Sequence, residues 1–143
     1  MLRGIPPIIS PELLKVLMEM GHGDELVLAD GNYPSASHAQ RLVRCDGHDI
    51  PTLLDAILQL YPLDSYVAKP AALMQVVAGD TVETPIWEQY RTIVEQHTGI
   101  GEPFEQMERF AFYERAKQAY VIIATGESAL YANLLLKKGV IVS

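Results

Sequence analysis

The sequence holds one cysteine, Cys45, and no long apolar run, and it is short of positive charge. A lone cysteine excludes an internal disulfide and any cysteine-based zinc cluster, and it suits a reducing compartment; the cytoplasm is the expected location. The longest apolar stretches, such as Tyr120 to Ala124, fall far short of the roughly 20 residues of a membrane-spanning helix, so no membrane partner and a soluble protein are expected. Met1 to Ser10 lacks both an apolar signal core and a small-residue cleavage site, which argues against secretion. Eleven basic residues face 18 acidic ones, a net charge of −7. The basic residues are scattered through Arg41, Arg44, Arg109, Arg115, Lys117 and Lys137-Lys138, with no stripe to follow a phosphate backbone. Nucleic acid is therefore not an expected partner, and a neutral substrate is tolerated best.

Several catalytic signatures are missing as well. Gly21-x-Gly23 lacks a third glycine and follows a helix instead of opening one, so it fails the dinucleotide fingerprint. There is no phosphate loop and no Gly-x-Ser-x-Gly elbow, and Ser128 has no nucleophile context. No repeat or low-complexity segment occurs.

What is present is an apolar fraction of 49% with only 20% charged residues in 143 residues. That is enough to form a core at a length typical of one domain, and residues 1–143 are expected to form a single domain. Ser10-Pro11-Glu12 is a helix start, with a serine cap, proline in the first turn and an acid at the positive end of the dipole. The helix should run to Met20, with Gly21 as its left-handed terminator. Glu25 to Ala29 reads as a buried strand, and Asn32 to Ala39 as a loop with a short helical piece. Strands are expected at Arg41–Cys45, Ala71–Val77, Tyr120–Ala124 and Leu134–Leu136. Helices should open at Pro51, at Thr84-Pro85 and at Phe110, the second ending at Gly99, while Phe104 to Arg109 fits a strand or an extended connection. Trp87 is expected to cover a helix flank, and the Val140 to Val142 tail to pair or pack. Helices alternating with apolar strands predict an α/β fold, a three-layer α/β/α sandwich with a largely parallel central sheet.

The stretch from Gly21 to Pro34 carries the candidate chemistry. His22 can donate or accept a proton near neutral pH, although a cation just past a helix end also serves as a cap. Asp30 should emerge at the carboxyl end of its strand, where open α/β sheets place ligands; the competing reading is a turn cap. Asp24 and Glu25 are candidate metal ligands. However, neighbouring residues of a strand point to opposite faces, so a structural role fits them better and no metal site is expected. His38, His48 and His97 read as surface or packing residues.

The ordered set His22-Gly23-Asp24-Glu25, Asp30 with Asn32-Tyr33-Pro34, Arg109-Phe110-Ala111-Phe112-Tyr113-Glu114-Arg115-Ala116, Thr125-Gly126-Glu127 and Tyr131-Ala132-Asn133 resembles the family of L-fucose mutarotases and D-ribose pyranases. The likeness runs from Ser10-Pro11-Glu12-Leu13-Leu14 to Lys137-Lys138-Gly139-Val140. It implies interconversion of sugar anomers by acid/base catalysis, with no cofactor and no metal. It also implies a ring-shaped homo-oligomer, commonly a decamer, with sites near subunit contacts. By motif, His22 matches the proton donor, and Asp30, Arg109, Tyr131 and Asn133 match sugar-contacting positions. Tyr131 and Asn133, two apart, would share a side in an extended segment. Arg109 has five fixed donors suited to neighbouring hydroxyls, against the plainer reading of an ion pair with Glu108 or Glu105. Arg109 resembles the fucose branch, since the ribose branch typically has histidine there. Gly31, Tyr33 and Ala132 depart from residues frequent in the fucose branch and leave the sugar open. D-ribose pyranase and a sugar-binding module without turnover are the alternatives, with a metal-assisted hydrolase using the acidic stretch as a third.

Overall fold

The computed structural model describes all 143 residues. The chain runs α1 (Pro11–Glu19), β1 (Glu25–Ala29), α2 (Ser35–His38), β2 (Leu42–Cys45), α3 (Ile50–Leu58), β3 (Ala71–Met74), α4 (Pro85–Thr98), β4 (Phe104–Met107), α5 (Arg109–Gln118), β5 (Val121–Thr125) and β6 (Leu134–Lys137). The strands form one sheet in the order β2-β5-β1-β6-β3-β4. β6 is antiparallel to both β1 and β3, whereas the pairs β1–β5, β2–β5 and β3–β4 are parallel. Five strands therefore share one direction, with a single reversed strand between the two parallel halves.

Alternation along the strands builds the three layers. Leu26, Leu28, Val121, Ile123, Leu134 and Leu136 face a core shared with Leu13 and Leu17 of α1, Leu53 and Ile57 of α3, and Tyr90 and Val94 of α4. Val27, Ile122 and Leu135 face the other way, under Phe112 and Ala116 of α5. Burial on both faces explains why these strands read as continuous apolar runs.

Local signals hold at most helix starts. Ser10 Oγ accepts from the Leu13 N–H at 3.1 Å, and Asp49 Oδ1 accepts from that of Thr52 at 2.9 Å, so α3 opens at Ile50, one residue before Pro51. Thr84 makes no side-chain cap bond, while Gly99 ends α4 with φ 76° as expected. Gly21 is not a left-handed terminator: Met20 caps α1 in extended geometry, and the positive φ falls on Gly23, at 86°. The reason is tertiary, because the Gly23 N–H must reach the Lys138 carbonyl at 2.8 Å beyond the end of β6.

Partner length sets the strand ends. β3 stops at Met74, short of Val77, because β4 ends at Met107, whose carbonyl takes the next amide, Gln75, at 2.8 Å. β2 starts at Leu42, one residue later than expected, and β5 runs from Val121 to Thr125, where the side-chain hydroxyl donates to the Ala29 carbonyl at 2.7 Å. Phe104–Met107 is a strand, and Arg109 is the first residue of α5. Residues Val140 to Val142 form no strand and are exposed, with Ile141 bordering a groove beside Leu58 and Leu63.

Asp24 and Glu25 have structural roles. Asp24 Oδ2 accepts from the Gly21 N–H at 2.7 Å. Both Glu25 oxygens accept from Arg115, which also reaches Glu105, tying α5 to β1 and β4. The bend after β5 needs glycine at Gly126, where an added Cβ would lie 2.1 Å from the Asp46 carbonyl oxygen. Gly126→Ala is expected to lower stability by about 1–3 kcal/mol, measured by denaturant unfolding, because the clash is with backbone that cannot rotate away.

Candidate functional site

The carboxyl ends of the parallel strands gather four of the five candidate residues. Asp30 follows β1 directly and is buried; its N–H donates to Asn133 Oδ1 at 2.8 Å, and its Oδ1 accepts from the Asn32 N–H at 3.0 Å. Asn133 is there because β6 runs antiparallel to β1 with Leu134 opposite Leu28, so the start of β6 meets the end of β1. Arg109 comes from the start of α5. Asp30, Arg109, Tyr131 and Asn133 line one cavity of about 280 Å³, together with Asp80, Tyr113 and the apolar Met74, Val77 and Leu130.

Arg109 is in no ion pair. Its guanidinium lies 4.6 Å from the Phe110 ring centroid, while Glu108 caps α5 through the Phe110 and Ala111 amides and Glu105 is held by Arg115. The guanidinium donors thus remain available to the cavity.

Tyr131 reaches the cavity differently from the extended pairing with Asn133 that spacing suggests. It is the one non-glycine residue with positive φ, at 54°, a left-handed conformation costing roughly 1–2 kcal/mol. Two residues on one face of α4 hold it: Trp87 Nε1–H donates to the Tyr131 carbonyl at 2.8 Å, and the Tyr90 hydroxyl donates to the Ala132 carbonyl at 2.7 Å. Trp87 therefore fixes the site loop as well as covering its helix.

Burial pushes the Asp30 carboxyl above its usual range, opposed by the Asn32 and Tyr33 amides; the Glu127 charge adds to the rise and the Asn133 side chain opposes it. A second cavity of about 300 Å³ flanks Asp30 on its other side, toward Ser35, Arg44 and Asp46. There Arg44 is committed to Asp46 by two bonds, of 2.7 and 3.0 Å.

His22 does not join this group within one chain. It precedes β1, whereas Asp30 follows it, and five strand residues at ~3.3 Å each separate the two edges. At its own edge His22 Nε2 lies 3.2 Å from Asp64 Oδ1, with the ring 5.3 Å from that of the exposed Tyr66. The Asp64 carboxyl is held below its usual range, first by the Tyr66 amide and against desolvation, then by His22. Lys138 pairs with Leu63, and Gly139 admits the Leu63–Asp64 backbone, which an added Cβ would meet at 2.5 Å. The stretch from Gly21 to Pro34 thus places its two candidate groups, His22 and Asp30, at opposite ends of β1 instead of in one site.

The sequence does not single out Asp64 or Asp80, and it gives Trp87 and Tyr90 only packing roles on their helix, not the hold on the site loop that the structure shows. Asp64 and Asp80 carry no motif, and their partners lie 42 and 51 residues away. The three-residue spacing of Trp87 and Tyr90 was a usable signal, since it marks one helix face.

The fold and cavity put the protein in the class of open α/β proteins with a small-molecule site at the carboxyl ends of their strands. Comparison with known proteins narrows this class. The chain belongs to the RbsD / FucU transport protein family, whose model matches residues 3–141. It is 51% identical over 140 residues to the L-fucose mutarotase of Actinobacillus pleuropneumoniae serotype 5b (strain L20), covering 98% of this chain and 97% of that one. It is 50% identical over 146 residues to the fucose mutarotase of Homo sapiens, covering 98% and 94%. The crystal structure of the fucose mutarotase from Streptococcus pneumoniae in complex with L-fucose matches with a TM-score of 0.94 at 58% identity, covering 99% of this chain and all of that one.

A pH prediction follows from Asp30. Carboxyl ¹³C NMR should show it titrating above the ordinary aspartate range, and Asn133→Ala should move the midpoint further up by removing a bond that favours the charged form. Because the folded-state pKa is raised, the stability Asp30 contributes is present at low pH and lost as pH rises through the folded midpoint. Asp30→Asn should abolish that segment of the pH–stability curve.

Proposed function

We propose that the protein is an L-fucose mutarotase that opens and recloses the free sugar by general acid/base catalysis. The observation that carries this reading is the convergence of Asp30, Arg109, Tyr131 and Asn133 on one cavity of sugar size. The names of the relatives supply the sugar. Arg109, where the ribose branch typically has histidine, favours fucose over D-ribose, and the apolar wall of Met74, Val77 and Leu130 suits the exocyclic methyl group of a 6-deoxy sugar.

In this mechanism Asp30 and Asn133 fix hydroxyls beside the anomeric centre, with Arg109 donating to their neighbours. One group protonates the ring oxygen while another removes the anomeric hydroxyl proton; the ring opens to the aldehyde, rotates, and closes on the other face. Each positioned group of this kind typically contributes about 10²–10⁴-fold. His22 is the ring-oxygen acid, oriented through Nε2 by Asp64, and it acts from a neighbouring copy. A single chain holds a cavity without the acid at one edge and the acid without a cavity at the other. Exposed apolar side chains flank both: Tyr66 and Val67 beside His22, and Val77, Phe110 and Leu130 around the cavity. Joining two different patches gives a head-to-tail interface, which generates a ring where the rotation between copies closes. A site completed in this way needs a homo-oligomer, and the ring-shaped decamer implied by the resemblance supports that reading. A cytoplasmic setting is in keeping with the free, buried thiol of Cys45. No helix is long and apolar enough to cross a membrane.

Exchange NMR on L-fucose anomers tests the activity, with D-ribose and D-galactose as competitors: fucose-selective acceleration is expected, and ribose preference overturns the sugar assignment. His22→Ala should slow exchange by about 10²-fold or more. Fucose binding without exchange would identify a sugar-binding module instead. A mixing experiment tests the shared site. His22→Ala and Asp30→Asn, each strongly impaired alone, should regain part of the wild-type rate when unfolded and refolded together, because hybrid assemblies contain intact His22–Asp30 pairs; no recovery would overturn the shared site.

A further inference from the structure

The second cavity, of about 300 Å³, lies beyond the turn that follows β1, and the mechanism above gives it no role. Only Asp30 and Tyr33 line both it and the sugar cavity, so these two residues are the partition between them. Its wall is more polar than packing requires. Asp30, Ser35 and Thr125 all line it, and each is at least nine-tenths buried. Thr125 is satisfied, since its hydroxyl donates to the Ala29 carbonyl and accepts from the Glu127 N–H. Ser35 is not: its hydroxyl is buried with no hydrogen-bond partner in the chain. Buried polar groups are nearly always bonded, and leaving one unbonded is costly. A serine hydroxyl turns between staggered rotamers, so that of Ser35, with no bond to break, can turn to a ligand in the cavity.

The charges at this cavity select the class of ligand. Arg44 and Asp46 form a two-bond pair, and Asp30 adds a further carboxylate. An anion would meet both carboxylates with no unpaired cation to hold it. A neutral molecule with several hydroxyls meets complementary groups instead: Asp30 and Asp46 accept, the Arg44 Nη1 donors are unspent, and the Ser35 and Ser37 hydroxyls can do either. Tyr33 and Pro34 supply apolar surface for the carbons of a ring.

We propose that this cavity is an accessory site for a neutral polyhydroxylated molecule, a cyclic polyol or a monosaccharide, whose occupancy weakens fucose binding in the adjoining cavity through Asp30 and Tyr33. The sign of the coupling follows from Asp30. Hydrogen bonds donated to one carboxylate share its charge, so a hydroxyl bonded from one cavity weakens a hydroxyl bonded from the other. The coupling is reciprocal. It takes from the mutarotase reading only that a sugar occupies the first cavity.

myo-Inositol serves as the probe, a fully hydroxylated ring with no anomeric carbon to react. In titration calorimetry the wild-type protein should bind it, and Ser35→Ala and Arg44→Ala should each raise its Kd about 3–10-fold. Neither variant should change the fucose Kd measured without inositol. Ser35→Ala removes a hydroxyl that has no partner, and Arg44→Ala breaks an exposed ion pair, so both should melt at or near the wild-type temperature. Arg109→Ala, in the sugar cavity, should leave inositol binding intact. Saturating inositol should raise the fucose Kd about fivefold or more. The proposal is overturned by absence of inositol binding, by binding that is lost with Arg109→Ala and kept with Arg44→Ala, by inorganic phosphate binding at Arg44 in its place, or by a fucose Kd indifferent to inositol. A protein that binds fucose without exchanging its anomers overturns the mutarotase reading alone, because the accessory site is read by binding and not by turnover.

Discussion

The hydrogen bond from the Asp30 backbone N–H to the Asn133 carboxamide joins residues 103 apart in the chain, at 2.8 Å in a buried setting. It exists because β6 inserts antiparallel between β1 and β3, so that its first residues meet the last residues of β1. The rest of the cavity depends on that insertion. Tyr131, just before β6, is brought within reach of Trp87 and Tyr90, and Asp80 within reach of Tyr131. A parallel β6 would bring Lys138, not Asn133, to Asp30.

The same strand sets the other edge of the sheet. Lys138 accepts from Gly23 and pairs with Leu63, drawing Asp64 to His22. One short apolar strand thus organises a polar pair at one end and a sugar-sized cavity at the other. Separating the two by the length of β1 makes a complete site a property of assembly in the proposed mechanism. In that mechanism the meeting of two different patches couples assembly to activity.

Helix and strand positions were mostly legible in the sequence because their causes are local. Ser10 and Pro11 start α1, Gly99 stops α4, and burial on both faces makes the strands apolar runs. Errors arose where a distant partner decided the outcome. Gly21 gave way to Gly23 as the left-handed residue because of Lys138, and β3 ended at Met74 because β4 ended at Met107. Of the candidate residues, Asp30, Arg109, Tyr131 and Asn133 share a cavity. The grouping of His22 with Asp30 did not hold within one chain, because nearness in sequence across a strand means distance in space.

The sequence by itself determined the α/β class, the one-residue thiol inventory, the acidic balance and the identity of the groups that can exchange protons. These are set by composition and by patterns a few residues long. Only the tertiary structure decided that Asn133 faces Asp30, that Arg109 is free of ion pairs, that Tyr131 is held left-handed by α4, and that His22 stands apart with Asp64. Each of these depends on strand order and register, which arise when segments tens of residues apart bury their apolar faces together.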